Sequence, residues 1–213
     1  MIVVIGALRL RGSGADADAA GLAASIATAA AGEGSGVEVI ARIGDDPPGD
    51  AVMLALARHG VGHVAVLRDP ARATRVAVAD TDERPDIETA ESERTDGPPA
   101  ADAPPLEPVL EGPDANLALR YLPQLGVIVA VHATPDVLSE AVAAASWAET
   151  ALIVVVPAGA TVPEGLPASA VTLEIDDADD SAAGAAVGRY AAALDRGVPA
   201  REAYHALLAT MTG

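Results

Sequence analysis

The chain contains no cysteine, no phenylalanine and no lysine. Without cysteine, disulfides and thiolate metal sites are excluded. With aromatics at 2%, a core has to be built from alanine, valine, leucine and isoleucine. Every basic residue is an arginine, and the formal net charge is −18. Such a surface repels nucleic acid and anionic membranes, so neither is expected as a partner. A GC-rich genome, with or without adaptation to salt, accounts for this composition without a recognition role. No apolar run approaches the ~20 residues of a membrane span. The N-terminus, MIVVIGALRLRG, starts as a strand and lacks a signal-peptide layout, so the reading is cytoplasmic.

At 213 residues the chain suits one domain, residues 1–213, interrupted by an acidic, proline-rich loop at about 81–113. The remainder alternates buried strands with helices. Ile2–Ile5, Val127–Val131 and Leu152–Val156 are apolar throughout, as strands covered on both faces are, and Val171–Ile175 extends the pattern. Helices are expected at 19–31 (capped by Asp16 or Asp18), 51–58, 115–122, 135–147, 181–195 and 199–210. Trp147 is expected to pack at the end of its helix. The class is α/β: three layers, α/β/α, around a mostly parallel, Rossmann-like sheet.

The most informative stretch is VEVIARIGDDPPGDAVMLALARHGVGHVAVLRDPARATRVAVA, residues 37–79. Val37, Val39, Ile40 and Ile43 suit a strand. Pro47, Pro48 and the flanking glycines end it. Asp46 or Asp50 can cap the helix that follows, and His59-Gly60 stops it.

Gly44, Asp45, Asp46, Gly49, Gly60, Val61 and Thr74 resemble the ribokinase-like (PfkB) family of sugar and nucleoside kinases, whose strand runs into Gly-Asp-Asp-x-x-Gly, a helix, Gly-Val and an Ala/Pro-Thr-Gly step. Arg75 stands where that family has glycine. The resemblance implies a ribokinase-like core and Mg-ATP-dependent phosphotransfer. Several functional positions depart from it. Arg9 and Arg11 follow the first strand where the family places sugar-binding Asn and Asp, and a guanidinium only donates hydrogen bonds. The interval from Arg11 to Ala19 looks too short for the family's lid strands. Gly21 matches the Gly-Gly-x-x-x-Asn turn, with Ser25 at the asparagine. An ungapped match of the last helices places Ser181-Ala182-Ala183-Gly184 over Gly-Ala-Gly-Asp, so Gly184 occupies the position of the general base. The nucleotide-gripping strand and loop also look deleted after residue 159.

Asp176, Asp177, Asp179 and Asp180 crowd the turn that in this family holds phosphate at a helix N-terminus. A carboxylate ~8 Å from a phosphate charge costs roughly 2 kcal/mol at an effective dielectric of ~20. The four aspartates lack calcium-loop spacing and read as solvated capping acids, so no metal site is expected.

Three functional readings result. The first is a catalytically inactive sugar-kinase homologue acting as a binding or interaction scaffold, with no cofactor and with homodimerisation as one form of that role. The second is an active carbohydrate or nucleoside kinase using Mg-ATP, with Asp179 or Asp180 as base. The third is a small anion-binding module using Arg9 and Arg11.

Overall fold

The computed structural model describes residues 1–77, 106–175 and 180–211, excepting the side chains of 180, 210 and 211. In chain order the elements are β1 (Ile2–Ile5), β2 (Arg9–Arg11), β3 (Asp18–Ala20), α1 (Leu22–Gly32), β4 (Val37–Gly44), α2 (Pro47–Arg58), β5 (Val66–Asp69), β6 (Val76–Ala77), α3 (Gly112–Tyr121), β7 (Val127–Val131), α4 (Pro135–Ala148), β8 (Ala151–Val156), β9 (Val171–Glu174), α5 (Asp180–Asp195) and α6 (Ala200–Met211).

Six strands form the main sheet in the order β5-β4-β1-β7-β8-β9, and every neighbouring pair is parallel. β1 lies at its centre, with Ile2 opposite Val37 on one side and Val127 on the other. All four of its side chains are fully buried. Successive side chains on a strand point to opposite faces, and two cores follow from that alternation. Ile2 and Val4 enter a core shared with residues of α1, α2, α5 and α6, whereas Val3 and Ile5 enter one shared with α3 and α4. Full burial of each such side chain contributes about 1.5–3 kcal/mol. The architecture is a three-layer α/β/α fold.

Helices α1 and α5 approach closely because small residues line their contact. A Cβ added at Gly188 would lie 2.5 Å from the Ile26 carbonyl oxygen and 2.8 Å from the Ala29 Cβ. Interaxial distance between packed helices depends on the side chains at the contact, and glycine allows the nearest approach.

Four expectations are corrected. Helix α1 starts at Leu22, after a strand at Asp18–Ala20, so neither Asp16 nor Asp18 caps it; Gly21 holds the N-cap position with φ 97°. Residues 9–20 do carry strands, since β2 pairs antiparallel with β3 and parallel with β6 in a three-stranded second sheet. Backbone pairing across a tight connection (a 3-10 turn at Gly14–Asp16) needs few residues, and side-chain pattern alone does not reveal it. Helix α3 begins at Gly112, with Pro113 in its first turn, so the irregular segment ends sooner than residue 113. Trp147 is 87% exposed and does not pack at the helix end. The portion of the acidic segment from 81 to 105 lies outside the described residues.

Candidate functional site

In open parallel sheets ligands bind beyond the carboxyl ends of the strands, where the strand order reverses. Here the chain runs outward from β1 through β4 to β5, and then returns to the other side of β1 with β7. The reversal therefore lies between β1 and β7. A cavity of about 210 Å³ opens there, lined by Gly6 and Ala7 after β1, Arg42 of β4, Glu107 and Val109 from the approach to α3, and His132 and Thr134 after β7. His132 has φ 46°, an uncommon conformation for a non-glycine residue.

Arg42 is held from two directions. Its Nη1 lies 2.8 Å from Asp114 Oδ2, and its Nε lies 3.4 Å from the carboxylate of the buried Asp69. Two carboxylates thus fix the guanidinium at the cavity wall. Thr134 also lines the cavity, two residues before Asp136. The hydroxyl of Thr134, followed by the Gly112 amide that donates to Asp136 Oδ2 at 2.7 Å, draws the Asp136 carboxyl below the ordinary carboxylate range.

The Gly-Asp-Asp-x-x-Gly turn is a closed hydrogen-bond network. Asp46 caps α2 by accepting from the Gly49 amide at 2.8 Å. It also accepts from the Thr74 amide at 2.8 Å and the Thr74 hydroxyl at 2.7 Å, while the Gly44 amide donates to Thr74 Oγ1 at 2.9 Å. Burial pushes the Asp46 pKa up, but the Thr74 and Gly49 hydrogen bonds, with the Arg68 charge, outweigh it and hold the carboxyl low. A Cβ on Gly49 would collide with the Gly44 carbonyl oxygen. The motif is structural: the Asp46 carboxylate, the Thr74 hydroxyl and the Gly44 and Gly49 amides are consumed by one another.

The other residues singled out by sequence fall as follows. Arg9 lies on β2 opposite Ala20, with its Nε 3.4 Å from where a Gly21 Cβ would be. Arg11 is exposed and sits opposite Asp18, whose carboxylate pairs with His59 Nε2 at 3.0 Å. Arg9 and Gly21 are therefore neighbours. Ser25, on the first turns of α1, meets Gly184 of α5: a Cβ at Gly184 would lie 2.5 Å from the Ser25 Cβ. Ser181 and Ala182 are exposed, whereas Ala183 and Gly184 are buried. Asp180 opens α5, one helical turn before Gly184. Asp176, Asp177 and Asp179 lie outside the described residues, as does the Asp180 side chain. Among the described residues, no three His, Asp or Glu side chains converge on one point.

Sequence reasoning missed the cavity-lining set. Arg42 and Asp114 are 72 residues apart, and Thr134, whose place before Pro135 and Asp136 suggests a helix cap, makes no side-chain cap hydrogen bond. The one signal available was the reversal of strand order, which requires that order to be known.

No protein-family model and no curated protein matches the sequence. Solved structures do match over nearly the whole chain. A PfkB protein from Polaromonas sp. JS666 is 15% identical at TM-score 0.60, covering 97% of this chain and 92% of its own. A protein assigned as ribokinase II from E. coli, solved with ATP and Mg2+, is 13% identical at TM-score 0.58, covering 95% and 88%. A protein assigned as a ribokinase from Agrobacterium tumefaciens is 14% identical at TM-score 0.57, covering 95% and 86%. Taken with the parallel sheet and the bonded Gly44–Thr74 turn, these likenesses give the chain the ribokinase-like fold of the PfkB-type sugar kinases.

Proposed function

We propose that this protein is a ribokinase-like sugar-kinase homologue that does not transfer phosphate and acts as a binding or interaction scaffold. The observation that carries the reading is the contact between Gly184 and Ser25. The resemblance matches Gly184 to the family's general base and Ser25 to its substrate-contacting asparagine, and here the two positions close on each other with no room for a carboxylate. General-base catalysis contributes about 10²–10⁴-fold, and glycine supplies none of it. The strand-end cavity, at about 210 Å³, is also smaller than the ~300–1,000 Å³ common for small-molecule sites. Arginines 9 and 11 occupy positions where sugar-binding acceptors are expected.

The test is calorimetric titration with magnesium-ATP alongside a coupled ADP-release assay, with and without a panel of sugars and nucleosides. The expected result is neither saturable heat nor ADP. Saturable ADP release abolished by Asp180→Asn would overturn the reading. The acid that opens α5 would then be the base, in a kinase using Mg-ATP.

A further inference from the structure

Residues 107–110 form one wall of the strand-end cavity; the rest comes from the ends of β1 and β7, with Arg42 of β4 and Val137 of α4. That wall is neither strand nor helix. Pro108 has no amide to donate, and among the described residues no backbone–backbone hydrogen bond holds residues 106–110. The two ends of the segment are attached differently. At the α3 end Leu110 packs against the core that α3 and α4 share, and the Gly112 amide donates to Asp136 Oδ2 at 2.7 Å. At the far end the attachments come from two arginines of the connection between β5 and β6. Arg72 Nη1 donates to the Glu107 carbonyl oxygen at 3.1 Å, and Arg75 Nε lies 3.4 Å from the Glu107 carboxylate.

One end is thus anchored in apolar packing, whereas the other is charged and wet. Arg75 and Glu107 are 54% and 55% exposed, and pairs so exposed hold weakly and are screened by salt. A segment without ladder bonds, fixed at one end only, opens at lower cost than the strands beside it. The charged attachment also reaches into the cavity wall. Oδ2 of the buried Asp69 lies 3.8 Å from Arg72 Nε and 3.4 Å from Arg42 Nε. The guanidinium that holds the segment and the one that lines the cavity therefore share a carboxylate. Val137 lines the same cavity and is only 2% exposed, so its side chain is shielded while the segment is in place. We propose that residues 107–110 are a strap over the strand-end cavity. It pivots where it enters α3 at Gly112, is latched by Arg72 and Arg75 on Glu107, and is released by rising ionic strength to admit a small molecule. The latch does not depend on whether such a molecule is phosphorylated.

The chain has no cysteine, so a single introduced thiol reports cleanly on opening. Val137→Cys places one at the cavity. Val129→Cys, in the core on the other face of the sheet, reads global opening alone. Each full-length variant is treated with iodoacetamide, an uncharged reagent. Its reaction follows the population of the open form when reclosing is fast. In the Val137→Cys chain the thiol is expected to react far more slowly than in the same chain unfolded in urea. Adding Arg72→Ala and Arg75→Ala speeds it by about tenfold, the combined effect of two exposed attachments. Sodium chloride at about 1 M, which screens charges within about 3 Å, speeds it several-fold in the parent reporter and not in the chain without the two arginines. Exchanging the pair, Arg75→Glu with Glu107→Arg, brings the rate back toward that of the parent reporter, and Val129→Cys stays unreactive throughout. A Val137→Cys rate that neither the arginine substitutions nor salt changes would overturn the proposal. So would a thiol there as reactive as in the unfolded chain, or a Val129→Cys rate that rises in the same proportion.

Discussion

The entrances to helices α2 and α5 carry the two motifs through which this chain most resembles the ribokinase-like family, and they are built differently. At α2 each polar group of Gly44-Asp45-Asp46-Pro47-Pro48-Gly49 with a structural part has a nearby partner. Asp46 takes three hydrogen bonds, and the Thr74 hydroxyl both donates to Asp46 and accepts from Gly44. At α5 Gly184, which the proposed reading matches to the family's base, packs against Ser25. Mutually bonded residues cannot change one at a time without leaving a buried group unsatisfied. A residue whose only partner is a substrate has no such anchor in the fold. A fold can therefore hold the first kind of motif fixed while the second kind is free to change.

The largest effect is expected at the α1–α5 contact. Gly188→Leu would push a side chain into the Ile26 carbonyl and Ala29, and overpacking of this kind costs about 3 kcal/mol, readable by urea denaturation. Gly184→Asp, which restores the carboxylate that the resemblance implies, should cost a comparable amount and yield no ADP release. If that variant instead keeps full stability and gains turnover, the α5 entrance is a site with room in it, and the contrast with α2 collapses.

An intermediate effect belongs to Asp46→Ala, about 2 kcal/mol from the lost cap and the unsatisfied Thr74 groups together. Its pH dependence sharpens the comparison. The folded pKa of Asp46 lies below its ordinary value, so the folded state prefers the charged carboxylate. That stabilisation is complete above about pH 4 and is lost as pH falls through the lowered folded value. Acid titrations of stability for the parent chain and Asp46→Asn should converge at low pH and diverge near neutrality. Parallel curves would remove Asp46 from the account of the turn.

The smallest effect is expected just outside that network. Arg68 pairs with Asp45 at 3.3 Å and with Asp50 at 2.5 Å, on carboxylates that are 58% and 70% exposed. Solvent and salt screen such pairs, so Arg68→Ala should cost about 0.5 kcal/mol or less, and nothing measurable in high salt. A cost above 2 kcal/mol would mean that the turn is held by surface charge and not by its internal hydrogen bonds.

Much of the fold was legible in the sequence for a local reason. The fully apolar runs Ile2–Ile5, Val127–Val131 and Leu152–Val156 are buried strands, and Asp46, Pro47 and Gly60 mark helix ends by their own backbone chemistry. The misreadings have local reasons too. Alanine at 19 and 20 favours a helix by propensity, yet both residues lie in β3, because pairing with β2 outweighs a preference of a few tenths of a kcal/mol. Trp147 was assigned to packing because indoles are usually covered, but no part of the described chain covers it.

By itself the sequence determined the class, the strand and helix alternation, the absence of thiol chemistry and the strongly acidic surface. These depend on side-chain type, on near-neighbour spacing and on summed charge. Tertiary structure alone decided which distant residues meet. It placed Arg42 between Asp69 and Asp114, closed Gly184 on Ser25, joined β2, β3 and β6 into a second sheet, and left Trp147 in water beside an apolar groove. Each of these requires the order of strands around β1, and that order is set by the packing of both faces of the sheet at once.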